Sequence, residues 1–204
     1  MTNNIKLQEV CKQLHIPVVG TTSWPLPIEA REILQESNPC PFTAADIDER
    51  LIGTSDFMPH SAIVCLFPYH VPHEGPTNLS RYTWATDYHL VVADYLQRLV
   101  DELKTTAPDA SFSIHCDTSP LADRYMAYLA GLGFYGKNKC FINPTWGSYI
   151  VIGTVLTTLE FESNTPMTDT CMGCNRCITS CLGQCLDGNA FNYATCKSYL
   201  TQKK

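Results

Sequence analysis

Positive charge is what this sequence has least to spare. Only 17% of its 204 residues are charged, and 14 Lys and Arg face 20 Asp and Glu, for a net charge of −6. Binding nucleic acid strongly takes clustered basic residues that displace counterions from phosphates, so the composition argues against that class while leaving room for a local patch. Long apolar runs are missing too, and none approaches the length that crosses a bilayer. The first residues, Met1 to Lys12, lack the apolar centre of a secretory signal. A cytoplasmic protein with no membrane partner is expected. Internal repeats and low-complexity tracts are also absent. With 45% hydrophobic residues the chain can still build a core, one ordinary domain with a small appendage.

Cysteine is abundant instead. Of eleven, five (Cys11, Cys40, Cys65, Cys116 and Cys140) stand singly, and six (Cys171, Cys174, Cys177, Cys181, Cys185 and Cys196) crowd one C-terminal stretch. A disulfide framework would spread them through a small secreted fold. Crowding at two-residue gaps, without a signal sequence, points to metal.

Apolar periodicity predicts a helix over Lys6–His15, then Pro-punctuated loops around Pro25, Pro27, Pro39 and Pro41 with a short helix at Ile28–Glu36. Thr43 is the expected cap of another short helix reaching Leu51. Ala62–Phe67 is a continuous apolar run stopped by Pro68, the mark of a buried strand. His70–Asn78 reads as a loop, and Thr86–Lys104 as the longest helix. Ser111–Cys116 reads as a strand. Ser119 and Pro120 open a helix that Gly131 ends. Lys139–Ile142 and Ser148–Thr158 are further strands. After Glu160, Leu and Val give way to Cys, Asn and Gly, which sets a boundary near Glu162. The expected fold is α/β, an α+β sandwich over residues 1–162, followed by a small iron–sulfur segment over 163–204.

Cys171, Cys174, Cys177 and Cys181 follow the CxxCxxCxxxC spacing of bacterial ferredoxin sites. Two-residue gaps curl the chain so that three thiolates meet three irons of a cubane. The competing assignment is structural zinc, which usually pairs two CxxC knuckles across a gap. The run fits a [4Fe-4S] cluster better, and hence electron transfer. Leu182 stands where the ferredoxin run has Pro. Cys181, Cys185 and Cys196 all remain candidates for the fourth ligand.

The sequence also resembles the epoxyqueuosine reductase family. The matching stretches are Ser80–His89, Cys116-Asp-Thr-Ser-Pro120, Ala130–Asn138, Ile142-Asn-Pro followed by Gly147-Ser148, the cysteine run, and Cys196–Thr201. They stand in the family's order from about Asp46 onward. The resemblance implies a cobalamin-binding domain and a ferredoxin-like segment. It implies a reductase that passes electrons through [4Fe-4S] clusters to a cobalamin and reduces the epoxide of epoxyqueuosine in tRNA. The partners it implies are tRNA and an electron donor such as ferredoxin or flavodoxin. It assigns Cys171, Cys174 and Cys177 to one cluster and Cys181 and Cys196 to a second. A further CxxCxxxC group that completes both in the family is not among these 204 residues, so the sequence is expected to be a short form. A longer chain, a one-cluster site or ligands from a partner would each complete the set.

The family's proton donor matches Asp117, since an opened epoxide leaves an alkoxide that needs a proton. On its own, Asp117 reads as an Asx-turn residue before the Ser119 cap. Gly131, Gly133, Lys137, Asn138 and Ser148 match the loops that approach the corrinoid. Gly131 alone is an ordinary helix C-cap. Gly131-Leu-Gly133-Phe-Tyr-Gly136 spells GxGxxG but ends a helix instead of opening one, so it is not a dinucleotide site. His89 reads as a helix-surface residue. The alternative function is an iron–sulfur electron-transfer or accessory protein without cobalamin catalysis.

Overall fold

The computed structural model describes residues 3–36, 43, 46–53, 55–72, 78–186 and 191–202. Pro39, Cys40, Pro41 and part of the expected His70–Asn78 loop lie outside the described residues.

Four strands form one antiparallel sheet in the order β1-β2-β6-β3: β1 (Val18–Ser23), β2 (Ser61–Pro68), β3 (Phe112–Cys116) and β6 (Ile150–Thr157). β2 and β6 lie at the centre. The apolar run of β2 is continuous because both faces of the sheet are covered. Ala62, Val64 and Leu66 face one core, with Leu156 of β6, with Leu121, and with Tyr125 and Met126 of α5 (Asp123–Leu129). Ile63 and Cys65 face the other, with Leu7 and Cys11 of α1 (Asn3–Gln13) and Val92, Leu96 and Leu99 of α4 (Tyr88–Lys104). The architecture is therefore an α/β/α sandwich of mixed α and β content, as expected. Each large apolar side chain buried this way contributes about 1.5–3 kcal/mol.

Several boundaries depart from the sequence reading. β1 was expected as loop, because Val-Val-Gly-Thr-Thr-Ser carries little apolar signal. It is fixed by register with β2, from Val18 opposite Leu66 to Ser23 opposite Ser61. A Cβ at Gly20 would collide with the Ala130 carbonyl, so glycine is needed where this strand meets the end of α5. The helix α3 (Ile47–Ile52) is capped by Asp46, whose carboxylate accepts from Asp48 N at 2.7 Å, and not by Thr43. Asp46 is an equally good cap and sits directly before the first apolar residue. Ser119 does not cap α5. Its hydroxyl is buried with no hydrogen-bond partner among the described residues, and the helix begins at Asp123 after Ala122. Leu121 and Ala122 are held in the core, with Ala122 N donating to Arg50 O, which delays the helix by a turn. Gly131 does end it, at φ +70°, with Leu132 N returning to Ala127 O. Of Lys139–Ile142 only β5 (Phe141–Ile142) is extended, paired with β4 (Phe134–Tyr135) as a hairpin.

The open edge of β1 is covered by the segment after β6. Asn164 N donates to Thr21 O at 2.9 Å, Thr21 Oγ1 to Glu162 O at 2.7 Å, and Ser23 N to Ser163 Oγ at 2.8 Å. Asn4 exchanges hydrogen bonds with Glu162 from the other side. The described residues beyond it include the short helices α6 (Arg176–Thr179) and α7 (Lys197–Gln202), neither with a buried residue. Among the described residues no helix is long and apolar enough to cross a membrane.

Candidate functional site

Antiparallel pairing puts the C-terminal ends of β2 and β3 at the same sheet edge as the start of β6: Pro68 is opposite Ile150, and Cys116 opposite Gly153. The chain leaves β3 through Asp117, at φ +58°, a left-handed conformation that Asp tolerates better than most residues. The N-terminus of α4 arrives beside it. Asp87 caps that helix, accepting from His89 N at 2.9 Å.

Two side chains of α4 close on Asp117. Tyr88 Oη donates to Asp117 Oδ2 at 2.6 Å, and His89 Nε2 lies 3.4 Å from the same oxygen. The other nitrogen of His89 is 2.8 Å from Asp87 Oδ1, so the imidazole bridges two carboxylates. Asp87 first, and then Asp117, raise the His89 imidazole above its ordinary value. Burial, followed by the Asp117 bond, raises the Tyr88 phenol. Asp123, six residues further along the chain at the start of α5, is pushed up to about 7 by burial and by the Asp117 charge. Burial also pushes the Cys116 thiol up to about 11.

An aromatic wall continues this edge. Tyr88 stacks on His89 with centroids 4.1 Å apart, Tyr82 meets Tyr88 edge-on at 5.9 Å, and Tyr69 meets both Tyr82 and Tyr149. Arg81 lies over the Trp84 and Tyr149 rings and donates to Val71 O at 2.8 Å. Tyr82 and Tyr149 are exposed. The result is a solvent-facing surface with flat apolar faces and one carboxylic acid bracketed by two proton-carrying groups.

Gly131, Gly133, Asn138 and Ser148 pack among the chain's own residues. Cβ atoms at Gly131 and Gly133 would collide with Thr165 O and Ile142 O, so the room these glycines leave is filled by the chain's own backbone. Asn138 caps its own turn, accepting from Cys140 N at 3.1 Å. Ser148 is half-buried, between Gly147, where a Cβ would meet open space, and Tyr149 of the aromatic wall. Among the described residues no hydrogen bond joins Asp117 to the 131–138 loop. Two clefts, of about 360 and 560 Å³, lie elsewhere, the first at Ser55 and Ser111–Ser113 and the second along Gln8–Pro17.

Lys137 reaches the cysteine segment instead. Its backbone N donates to Cys171 Sγ at 3.3 Å and its Nζ to Asn175 Oδ1 at 2.8 Å. The run curls through left-handed Gly173 (φ +76°) and Asn175 (φ +53°), which turns Cys171 and Cys177, both half-buried, and exposed Cys174 around one bend. A soft, all-thiolate donor set with a backbone N–H aimed at sulfur suits an iron–sulfur cluster. Among the described residues no three Cys, His, Asp or Glu side chains converge on a point that a single metal ion could occupy. Cys181, Cys185 and Cys196 form a separate group. Cys181 Sγ lies 3.3 Å from the buried Cys185 Sγ, and Cys185 also meets Cys196. The backbone N–H of Cys185, pointing at sulfur, holds the Cys181 thiol down, while burial pushes Cys185 up to about 11.

Tyr88 and His89 are the functional residues that sequence reasoning missed. From the sequence His89 reads as a helix-surface residue, and Tyr88 is one position within the expected Thr86–Lys104 helix. The signal that could have found them is Asp87, a cap residue that fixes the helix start and turns the next two side chains toward whatever lies beyond it.

Fold and site together define an α/β/α sandwich with an acid and aromatic wall at one sheet edge and a thiol-rich C-terminal segment. In sequence and in fold the chain resembles the epoxyqueuosine reductases. Residues 57–118 match the family described as "Epoxyqueuosine reductase QueG, DUF1730". The epoxyqueuosine reductase of Bacillus cereus is 38% identical over 125 residues, 61% of this chain and 33% of that protein. The solved epoxyqueuosine reductase of Streptococcus thermophilus superposes with a TM-score of 0.84 at 26% identity, covering 100% of this chain and 59% of the other. Another solved reductase, holding an epoxyqueuosine-modified tRNA-Tyr stem loop, matches at 0.83 and 28%, over 98% of this chain and 57% of its own. The chain thus spans about a third of the curated relatives' length.

Proposed function

We propose that this chain is the sheet domain and part of the cluster segment of an epoxyqueuosine reductase-like enzyme. Residues 1–162 would carry the substrate and cobalamin face, and residues 163–204 an iron–sulfur segment. The observation that carries this reading is Asp117, bracketed at Oδ2 by Tyr88 Oη at 2.6 Å and His89 Nε2 at 3.4 Å on an open aromatic surface. Cys171, Cys174 and Cys177 would hold a [4Fe-4S] cluster, fed by a cytoplasmic donor such as ferredoxin or flavodoxin. A cobalamin bound against the Tyr88–Tyr149 wall, near Gly147 and Ser148, would supply two-electron reduction of a carbon–oxygen bond.

The chain's own residues handle the proton. Asp117 stands where it can pass a proton to the alkoxide oxygen left when the epoxide opens. Tyr88 and His89 orient Oδ2, and His89, bridging to Asp87, is placed to return a proton to Asp117. The tRNA partner rests on the likeness to the tRNA-bound relative and would meet this surface through local basic groups such as Arg81.

The test is anaerobic reconstitution with iron, sulfide and cobalamin, then turnover of epoxyqueuosine-containing tRNA. Asp117→Asn is expected to lower turnover on the order of 10²–10⁴-fold without changing iron content. Full activity in that variant would remove Asp117 from the mechanism. A second reading, an electron-transfer protein without corrinoid, is favoured by one observation: the space at Gly131 and Gly133 is filled by Thr165 and Ile142. A cluster-loaded chain that takes up no cobalamin would establish it.

A further inference from the structure

Three thiols that the sequence leaves undivided are unequal in space. Cys181 and Cys185 bracket a tight turn, with Gln184 at φ +47° and its N–H on Cys181 O at 2.9 Å. Their sulfurs stand 3.3 Å apart. Gly183 lets the turn lie on the Thr195 backbone, because any Cβ there would collide with the Thr195 carbonyl. This brings Cys196 up to Cys185. Cys185 is 5% exposed, whereas Cys181 is half-buried and Leu182 beside it is 89% exposed. Backbone N–H groups of Cys185, Gly183 and Leu186 point at Cys181 Sγ.

Two sulfurs this close suit one covalent bond better than two irons. Each cysteine of a cubane takes its own iron, which holds the sulfurs well apart. A disulfide needs a contraction of that 3.3 Å separation to about 2.05 Å. The accessible member is Cys181, and the buried one is placed to resolve.

We propose that Cys181 and Cys185 form a reversible disulfide. The Cys181 thiolate attacks a small-molecule disulfide such as oxidised glutathione, releasing one glutathione thiolate and leaving a mixed disulfide. Cys185 then gives up its proton and attacks the Cys181 sulfur, expelling the second glutathione. Two protein thiols lose two electrons and two protons, and one oxidant disulfide becomes two thiols. A corollary rests on the cluster reading above: iron held at Cys181 and the disulfide exclude each other.

The test uses the 204-residue chain, metal-free and reduced, treated with oxidised glutathione and then alkylated for mass spectrometry. The expected product carries an internal bond between Cys181 and Cys185, about two daltons lighter than the dithiol, and is reversed by excess reduced glutathione. Cys185→Ser should stop at a glutathione adduct on Cys181, and Cys196→Ser should still form the bond. Free, alkylated Cys181 and Cys185 after oxidation would overturn the proposal, as would pairing of Cys185 with Cys196 in wild type. A second arm loads iron and sulfide first. Disulfide formation should slow at least about tenfold relative to metal-free chain. Equal rates in a chain shown to carry iron would overturn the exclusion. A chain that takes no iron would sink the cluster reading, and the first arm would still decide the disulfide.

Discussion

The sheet sandwich and the cysteine segment are held by different forces. Up to Phe161, two apolar clusters sit on either face of β2 and β6 and bury Leu66, Leu96, Leu99 and Leu156 completely. Among the described residues after Thr165 neither cluster has a member, and Cys185 is buried. A hydrophobic core holds its shape without ligands. A segment of short helices and turns has little apolar area to offset its ordering entropy, so a bound group or a covalent cross-link would supply the balance.

That contrast can be tested by breaking one side at a time. The largest effect is expected in the sandwich: Leu99→Ala or Leu66→Ala should lose about 2–5 kcal/mol of unfolding free energy in urea, since each leaves a cavity in a fully enclosed site. Asp123 comes next, at the edge where core meets site. Its folded pKa of about 7 lies above the ordinary carboxylate value, so the folded state binds the proton more tightly than the unfolded state. Stability from this group is fully present below about pH 4 and is lost as pH rises to 7, a swing of roughly 2–4 kcal/mol. Asp123→Asn should flatten that slope in denaturant titrations from pH 4 to 8. An unchanged slope would show that another group carries it.

How far the two regions were legible differs for the same reason. Apolar runs and helical periodicity, as in Ala62–Phe67 and Thr86–Lys104, report burial directly, and β2 and α4 fell close to their expected spans. β1 was invisible because its place comes from pairing and from Gly20 against Ala130, which are long-range facts. Ser119 misled because cap chemistry is local, whereas the start of α5 is decided by Leu121 and Ala122 entering the core. In the site, Asp117 was reached through the family resemblance. Its partners Tyr88 and His89 lie 29 and 28 positions away, and only the sheet order brings them together. The grouping of Cys181, Cys185 and Cys196 apart from Cys171 depends on Gly183 meeting Thr195 and has no signature in spacing.

Gly131 joins the regions, for its missing Cβ admits Thr165 of the connecting segment. At φ +70° alanine is strained and also displaces that carbonyl. Gly131→Ala should cost about 1–3 kcal/mol, less than a core cavity, and should speed exchange of the amide protons at the β1 edge, Thr21 and Asn164.

The smallest effect on folding should come from the exposed thiol Cys174. Its side chain touches neither core cluster, so Cys174→Ser should shift metal-free unfolding by no more than about 0.5 kcal/mol. In the presence of iron and sulfide the same change should remove most of the iron bound per chain, because a cubane needs a thiolate at each position of the CxxCxxC bend. The divergence of the two measurements carries the contrast. If Cys174→Ser destabilises the metal-free sandwich as much as Leu99→Ala does, the two regions form one cooperative unit held by packing. If it leaves both stability and iron content untouched, the bend around Gly173 and Asn175 is not a metal site, and the order of the segment must come from its hydrogen bonds with Lys137.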